Sequence, residues 1–120
     1  MVFGDVEDIL EKFAKLFYGL NIDEYLDKRD SPPFDKEWVD ADNSMKAIKI
    51  EALSSVERIR ERVYNSVYKI TNSDELAGYI SDDFELILIN ELQEEKNSWI
   101  EEKLNVYGQG CLPNRVERCK

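Results

Sequence analysis

Twenty-six carboxylates and not one histidine set the chemistry open to this 120-residue chain. Without imidazole it lacks the commonest general base, the usual activator of serine and cysteine nucleophiles, and the usual zinc or iron ligand. The carboxylates themselves are the remaining candidates. Glu91, Glu94 and Glu95, followed by Glu101 and Glu102, fall on one expected helix. A di-metal site in a helical bundle pairs inward glutamates with a Glu-x-x-His motif, which this sequence does not contain. Glu94-Glu95-Lys96 and Glu101-Glu102-Lys103 carry the Glu-x-Lys spacing of some metal-dependent nucleases, but that motif works on a strand, where both side chains share a face. The five glycines form no phosphate-binding loop. These acids read as a solvated face, and the chain as a non-enzyme without metal or cofactor.

Charge is distributed in blocks. Residues 1–44 hold 12 acids against 5 bases, 45–72 hold 3 against 6, 73–107 hold 10 against 2, and 108–120 hold 1 against 3, within a net charge of −10. Such a surface repels nucleic acid and anionic lipid and attracts a basic protein at a steered, salt-dependent rate. The densest acidic stretch lies between Ile22 and Asp42: Asp23, Glu24, Asp27, Asp30, Asp35, Glu37, Asp40 and Asp42. Tyr25, Phe34 and Trp38 are interleaved with it, and aromatic anchors ringed by charge suit either a core contact or a binding hot spot. For Trp38 we favour the core. Arg58, Arg60 and Arg62, at alternate positions, are spread around a helix, which suits ion pairing inside the protein better than a phosphate stripe.

These residues need helices to hold them. Apolar residues at steps of three and four predict a long central helix from Asn43 to Asn72, with Met45, Ile48, Ala52, Val56, Ile59, Val63, Val67 and Ile70 as its buried stripe. Before it, Asp5 caps a first amphipathic helix that Gly19 stops, Asn21 caps a short second one, Ser31-Pro32-Pro33 forces a turn, and Asp35 caps a short segment through Val39. After it, Thr71 to Glu75 form a break and a new cap. Ser81-Asp82-Asp83 cap a longer helix from about Asp83 to Tyr107, ended by Gly108. The expectation is an all-α fold, a small bundle of three principal helices with accessory ones. One domain spans 1–120 with an irregular tail from 108 to 120. Apolar runs are too short for a membrane span and the N-terminus lacks signal-peptide character, so a cytoplasmic location is expected, with Cys111 and Cys119 read as reduced thiols there and a disulfide closing the short tail loop as the alternative in an oxidising compartment.

Two stretches carry a family resemblance. Asp74-Glu75-Leu76-Ala77-Gly78-Tyr79-Ile80-Ser81-Asp82-Asp83-Phe84-Glu85-Leu86-Ile87 resembles a segment of small bacterial immunity proteins, the antidotes to polymorphic and contact-dependent growth inhibition toxins. The close, Trp99 to Leu104 with Tyr107-Gly108-Gln109-Gly110-Cys111-Leu112-Pro113, is similar to the aromatic, glycine and proline ending of the same group. The resemblance implies a cytoplasmic protein that binds and blocks one cognate toxin domain. Many such toxins are nucleases with basic clefts, which an acidic inhibitor would occlude. The expected contact surface is the acidic stretch from Asp23 to Asp42, with Asp74, Glu75, Asp82 and Asp83 as a second group. The competing reading is a non-enzymatic adaptor, regulator or nucleic-acid mimic of phage or plasmid origin.

Overall fold

A computed structural model describes residues 2–45, 53–93 and 95–114. They form seven helices and, among the described residues, no strand: α1 (Val2–Glu11), α2 (Phe13–Leu16), α3 (Ile22–Arg29), α4 (Phe34–Met45), α5 (Leu53–Thr71), α6 (Asp74–Glu91) and α7 (Ser98–Gly108). The all-α expectation holds. Its details change in ways that local chemistry explains.

The centre of the fold is α6, and the long basic helix packs beside it. Eleven of the eighteen residues of α6 are buried, which leaves little of its circumference for solvent. The helix packs on α1, α4, α5 and α7. Its almost uninterrupted run Phe84, Leu86, Ile87, Leu88 and Ile89 is the apolar heart of the protein, each residue at most 2% exposed. Such a run resembles a buried strand in isolation, but here neighbours on several sides let every face be apolar. Phe84 lies edge-on to Phe13 and against Tyr107, with ring centres 6.2 and 4.8 Å away.

Helices α5 and α6 form the largest interface. Only Asn72 and Ser73 separate them, so the pair is an antiparallel hairpin. Asn72 takes the left-handed conformation (φ 60°) and its N–H donates to the Tyr68 carbonyl at 2.7 Å, closing α5. Ser73 then accepts from the Leu76 N–H at 3.1 Å and opens α6. The predicted stripe holds for Val56, Val63 and Val67, which are buried, whereas Ile70 and Tyr68 are about 45% exposed. Asn43 to Met45 end α4, and the expected helix between them and Leu53 lies outside the described residues.

Three expected caps are corrected. Asp5 falls inside α1, which already begins at Val2. Asp35 lies in the first turn of α4, which extends to Met45. Ser81-Asp82-Asp83 sit in the middle of α6, where the Ser81 hydroxyl donates to the Gly78 carbonyl at 3.0 Å instead of starting a helix. Conversely, the helix expected from Asp83 to Tyr107 is two. Asn90, fully buried, accepts from the Asn97 backbone N–H at 2.8 Å and donates to Glu101 at 3.0 Å. Asn97 in turn caps α7 by accepting from the Ile100 N–H at 3.0 Å. This pair of asparagines folds the chain back, leaving Leu92, expected in the stripe, 55% exposed. The first helix expected to run to Gly19 is two, broken at Lys12, and α2 ends at Leu16, with Gly19 (φ 69°) in the turn beyond it, whereas Asn21 opens α3 as expected.

Residues 109–114 run back over α3: the Tyr25 hydroxyl donates to the Pro113 carbonyl at 2.6 Å and Asn114 to the Lys28 carbonyl at 3.1 Å. Cys111 is buried and disulfide-bonded, not the reduced thiol expected. Cys119, the only other cysteine in the sequence, lies outside the described residues. The correction follows from packing: a tail docked by these bonds holds its sulfur in one place, where a loose tail would not.

Phe84 and Leu92 give the fold its test. Phe84→Ala should cost about 3–5 kcal/mol of unfolding free energy in urea titrations, the range for emptying a buried aromatic site, while Leu92→Ala should stay within about 0.5 kcal/mol, as exposed positions do.

Candidate functional site

Among the expected contact residues, Asp83 is the one placed inside the protein, 5% exposed. Both its oxygens are occupied. Arg29 donates through Nη1 to Oδ2 at 2.8 Å and through Nη2 to Oδ1 at 2.6 Å, a two-pronged pair between α3 and α6. Trp38 Nε1 donates to Oδ1 at 2.9 Å from α4, and the Tyr107 hydroxyl to Oδ2 at 2.6 Å from α7. Burial acts to lower the Arg29 pKa, but the Asp83 charge and hydrogen bonds outweigh it and hold the guanidinium protonated well above its ordinary range. Burial, then the Asp83 charge, pushes the Tyr107 phenol up, so it remains a donor. Arg29 also lies 5.1 Å from the Phe34 ring centre and 5.2 Å from that of Tyr79. Asp83 is therefore a positioning residue that offers no surface to a partner.

The same network shapes what lies outside it. Arg29 is one of only three bases between Ile22 and Asp42, and its charge is cancelled internally. Within the stretch that leaves Lys28 and Lys36 as bases, and Lys103 of α7 stands beside it, 5.8 Å from the Phe34 ring centre. Asp23, Glu24, Asp27 and Asp30 are exposed on α3 or just after it, and Asp35, Glu37 and Asp40 are exposed on α4. Asp42 is half-buried. Asp40 pairs with Lys36 one turn earlier at 3.0 Å, an exposed pair with little grip. Asp30 and Glu37 accept from neutral donors, the Tyr79 hydroxyl at 2.5 Å and Trp99 Nε1 at 3.0 Å, and so keep their charge available.

The second expected group divides. Asp74 accepts from the Tyr64 hydroxyl, and Glu75 is exposed beside it in the first turn of α6. Asp82 pairs with Arg60 of α5, whose guanidinium also stands 3.9 Å from Glu85. Burial still raises the Asp82 pKa above the carboxylate norm despite Arg60, with Glu85 and Asp83 adding repulsion. Arg62 pairs with Glu7 of α1 and holds that carboxyl below its ordinary range. Arg60 and Arg62 thus serve ion pairs between helices, as their spacing suggested, the second of them at the surface, while Arg58 is exposed.

The structure brings the two groups together at one place. Asp30, Asp35 and Asp82 line a cleft of about 210 Å³ with Arg29, Phe34, Trp38, Val39 and Tyr79. Arg29, Val39 and Tyr79 were not among the expected site residues. The signal for Tyr79 was its place one turn after Glu75 on α6, while nothing in the spacing marked Arg29 as interior. Among the described residues no group of three or more Asp, Glu or Cys is placed to hold a metal ion.

Two measurements test this arrangement. Asp83→Asn strands a buried guanidinium and should lower stability by about 3–5 kcal/mol, whereas Tyr107→Phe should lose only about 1–2 kcal/mol, both read by urea unfolding. The hydrogen bond to Asp30, with burial adding, raises the Tyr79 pKa from 10.0 to about 12. The folded state holds that proton more tightly than the unfolded chain, so its contribution is complete below pH 10 and is lost as pH rises to about 12. Ultraviolet titration should find Tyr79 among the late-ionising tyrosines, beside the buried Tyr107, and Asp30→Asn should bring Tyr79 alone back toward 10.

The sequence pattern of one family, described as Immunity protein PIM1, matches residues 6–114, from within α1 to the docked tail. No curated protein matches the chain.

Proposed function

The chain belongs to the immunity protein PIM1 family, whose role is to neutralise a toxin, and from that membership we propose that it does so through the acidic face of α3 and α4. The partner is one cognate toxin domain with a basic active-site cleft, a nuclease, and inhibition is by occlusion without catalysis. Carboxylates of Asp23, Glu24, Asp27, Asp30, Asp35, Glu37, Asp40 and Asp42 take the places of substrate phosphates, with Asp74, Glu75 and Asp82 extending the face along α6. Asp83 stays behind it as the anchor. The observation that carries this reading is the cancellation of Arg29 by Asp83, which leaves the exposed acids of α3 and α4 with only Lys28 and Lys36 as bases from their own stretch. Opposed charge of this kind accelerates encounter and excludes wrong partners.

A nuclease must be stopped where nucleic acid is, which places the complex in the cytoplasm. The disulfide at Cys111 supports a second location, an oxidising compartment such as the periplasm, since cytosolic proteins seldom keep such bonds.

The test is kinetic. With the toxin domain whose growth arrest this protein relieves, the double variant D23K/D27K should associate about tenfold or more slowly in stopped-flow mixing at low salt, with a flatter salt dependence. Unchanged rates at every ionic strength would remove this face from the interface.

A further inference from the structure

The cleft between the end of α3, the first turns of α4 and the middle of α6 has walls of one kind and a rim of another. Phe34, Trp38, Val39 and Tyr79 supply flat or aliphatic surface, and Val39 is 44% exposed, an apolar side chain left uncovered. Asp30, Asp35 and Asp82 supply three carboxylates. The cation that also lines the cleft, Arg29, is committed to Asp83 by two bonds and is 5% exposed. Asp35 has no ion pair or hydrogen bond from its side chain among the described residues. Asp82 is half-buried and pairs with Arg60 of α5.

Rings and carboxylates together select a side chain that is planar, cationic and rich in donors. A guanidinium stacks on aromatic faces through its π-system while its N–H fork bonds to acids at the edge. An ammonium does the second better than the first, and an apolar side chain would leave the carboxylates desolvated without partners. We propose that this cleft is the socket for one arginine side chain of the neutralised toxin. The inference rests on the reading that the α3–α4 face meets the toxin, and it names the feature of the partner that this face is built to take.

A test free of the toxin comes first. In nuclear magnetic resonance titrations with N-acetyl-L-arginine amide, the Trp38 indole N–H and the Tyr79 amide should shift saturably, with a Kd on the order of millimolar for so small a ligand. The Trp99 indole, which does not line the cleft, is the internal reference. The neutral isostere N-acetyl-L-citrulline amide should leave all three in place. Asp35→Asn, at an exposed position that the fold does not use, should weaken the arginine response about tenfold, while Glu11→Gln on α1 should not change it. An equal response to citrulline, or none to arginine, overturns the socket.

The toxin domain then separates the two claims. Weaker binding of that domain to Asp35→Asn, about tenfold against wild type, supports the socket. Binding of equal strength to both overturns it and leaves the immunity reading standing. Failure of the wild-type protein to bind any toxin it protects against overturns that reading, and the occupant assigned to the cleft falls with it.

Discussion

One carboxylate holds four helices together. Asp83 receives donors from α3, α4 and α7 while standing on α6, and each of its oxygens accepts two of them. An isolated buried carboxylate costs several kcal/mol, and a buried guanidinium a comparable amount, so neither persists without the other. What the arrangement supplies is direction. Apolar packing against α6 would tolerate several angles for α3 and α4, since the contact is non-directional. A two-pronged guanidinium, an indole N–H and a phenol converging on one carboxylate tolerate few.

The outer face follows from that inner constraint. Because Arg29 turns inward, the acidic helix α3 loses its strongest cation from the surface, and the anchor that fixes the helix also sharpens its potential. Phe34 and Trp99 continue the layering outward, their ring centres 5.4 Å apart, with Lys103 4.5 Å over Trp99. The cleft opens where this layering leaves Val39 uncovered. Core and surface are here two sides of the same few residues.

How much of this the sequence made readable depends on the range of the interaction involved. Helical periodicity, the Thr71–Glu75 break and the Asn21 cap are local and were legible, as was the family likeness of Asp74–Ile87 and the tail. Trp38 as an interior anchor was legible too, from an aromatic among charges. The centrality of α6 was not, because a helix buried all round gives up the periodic signal by which buried faces are found. The split between α6 and α7 was hidden for a related reason: Asn90 and Asn97 look like ordinary polar residues until one side chain meets the other's backbone across the turn. Asp83 is the sharpest case. Beside Asp82 in sequence it looks like its twin, yet one residue of helical rotation puts Asp82 on the cleft and Asp83 in the core.

The carboxylates of α3 bear on how such a protein diversifies. Asp23, Glu24 and Asp27 are exposed and carry none of the bonds of the Arg29–Asp83 knot, so exchanging them leaves that knot intact. On the proposed reading of this face a lineage can exchange them one at a time, trading one toxin for another, while the inner lock keeps the same backbone presented to each new adversary.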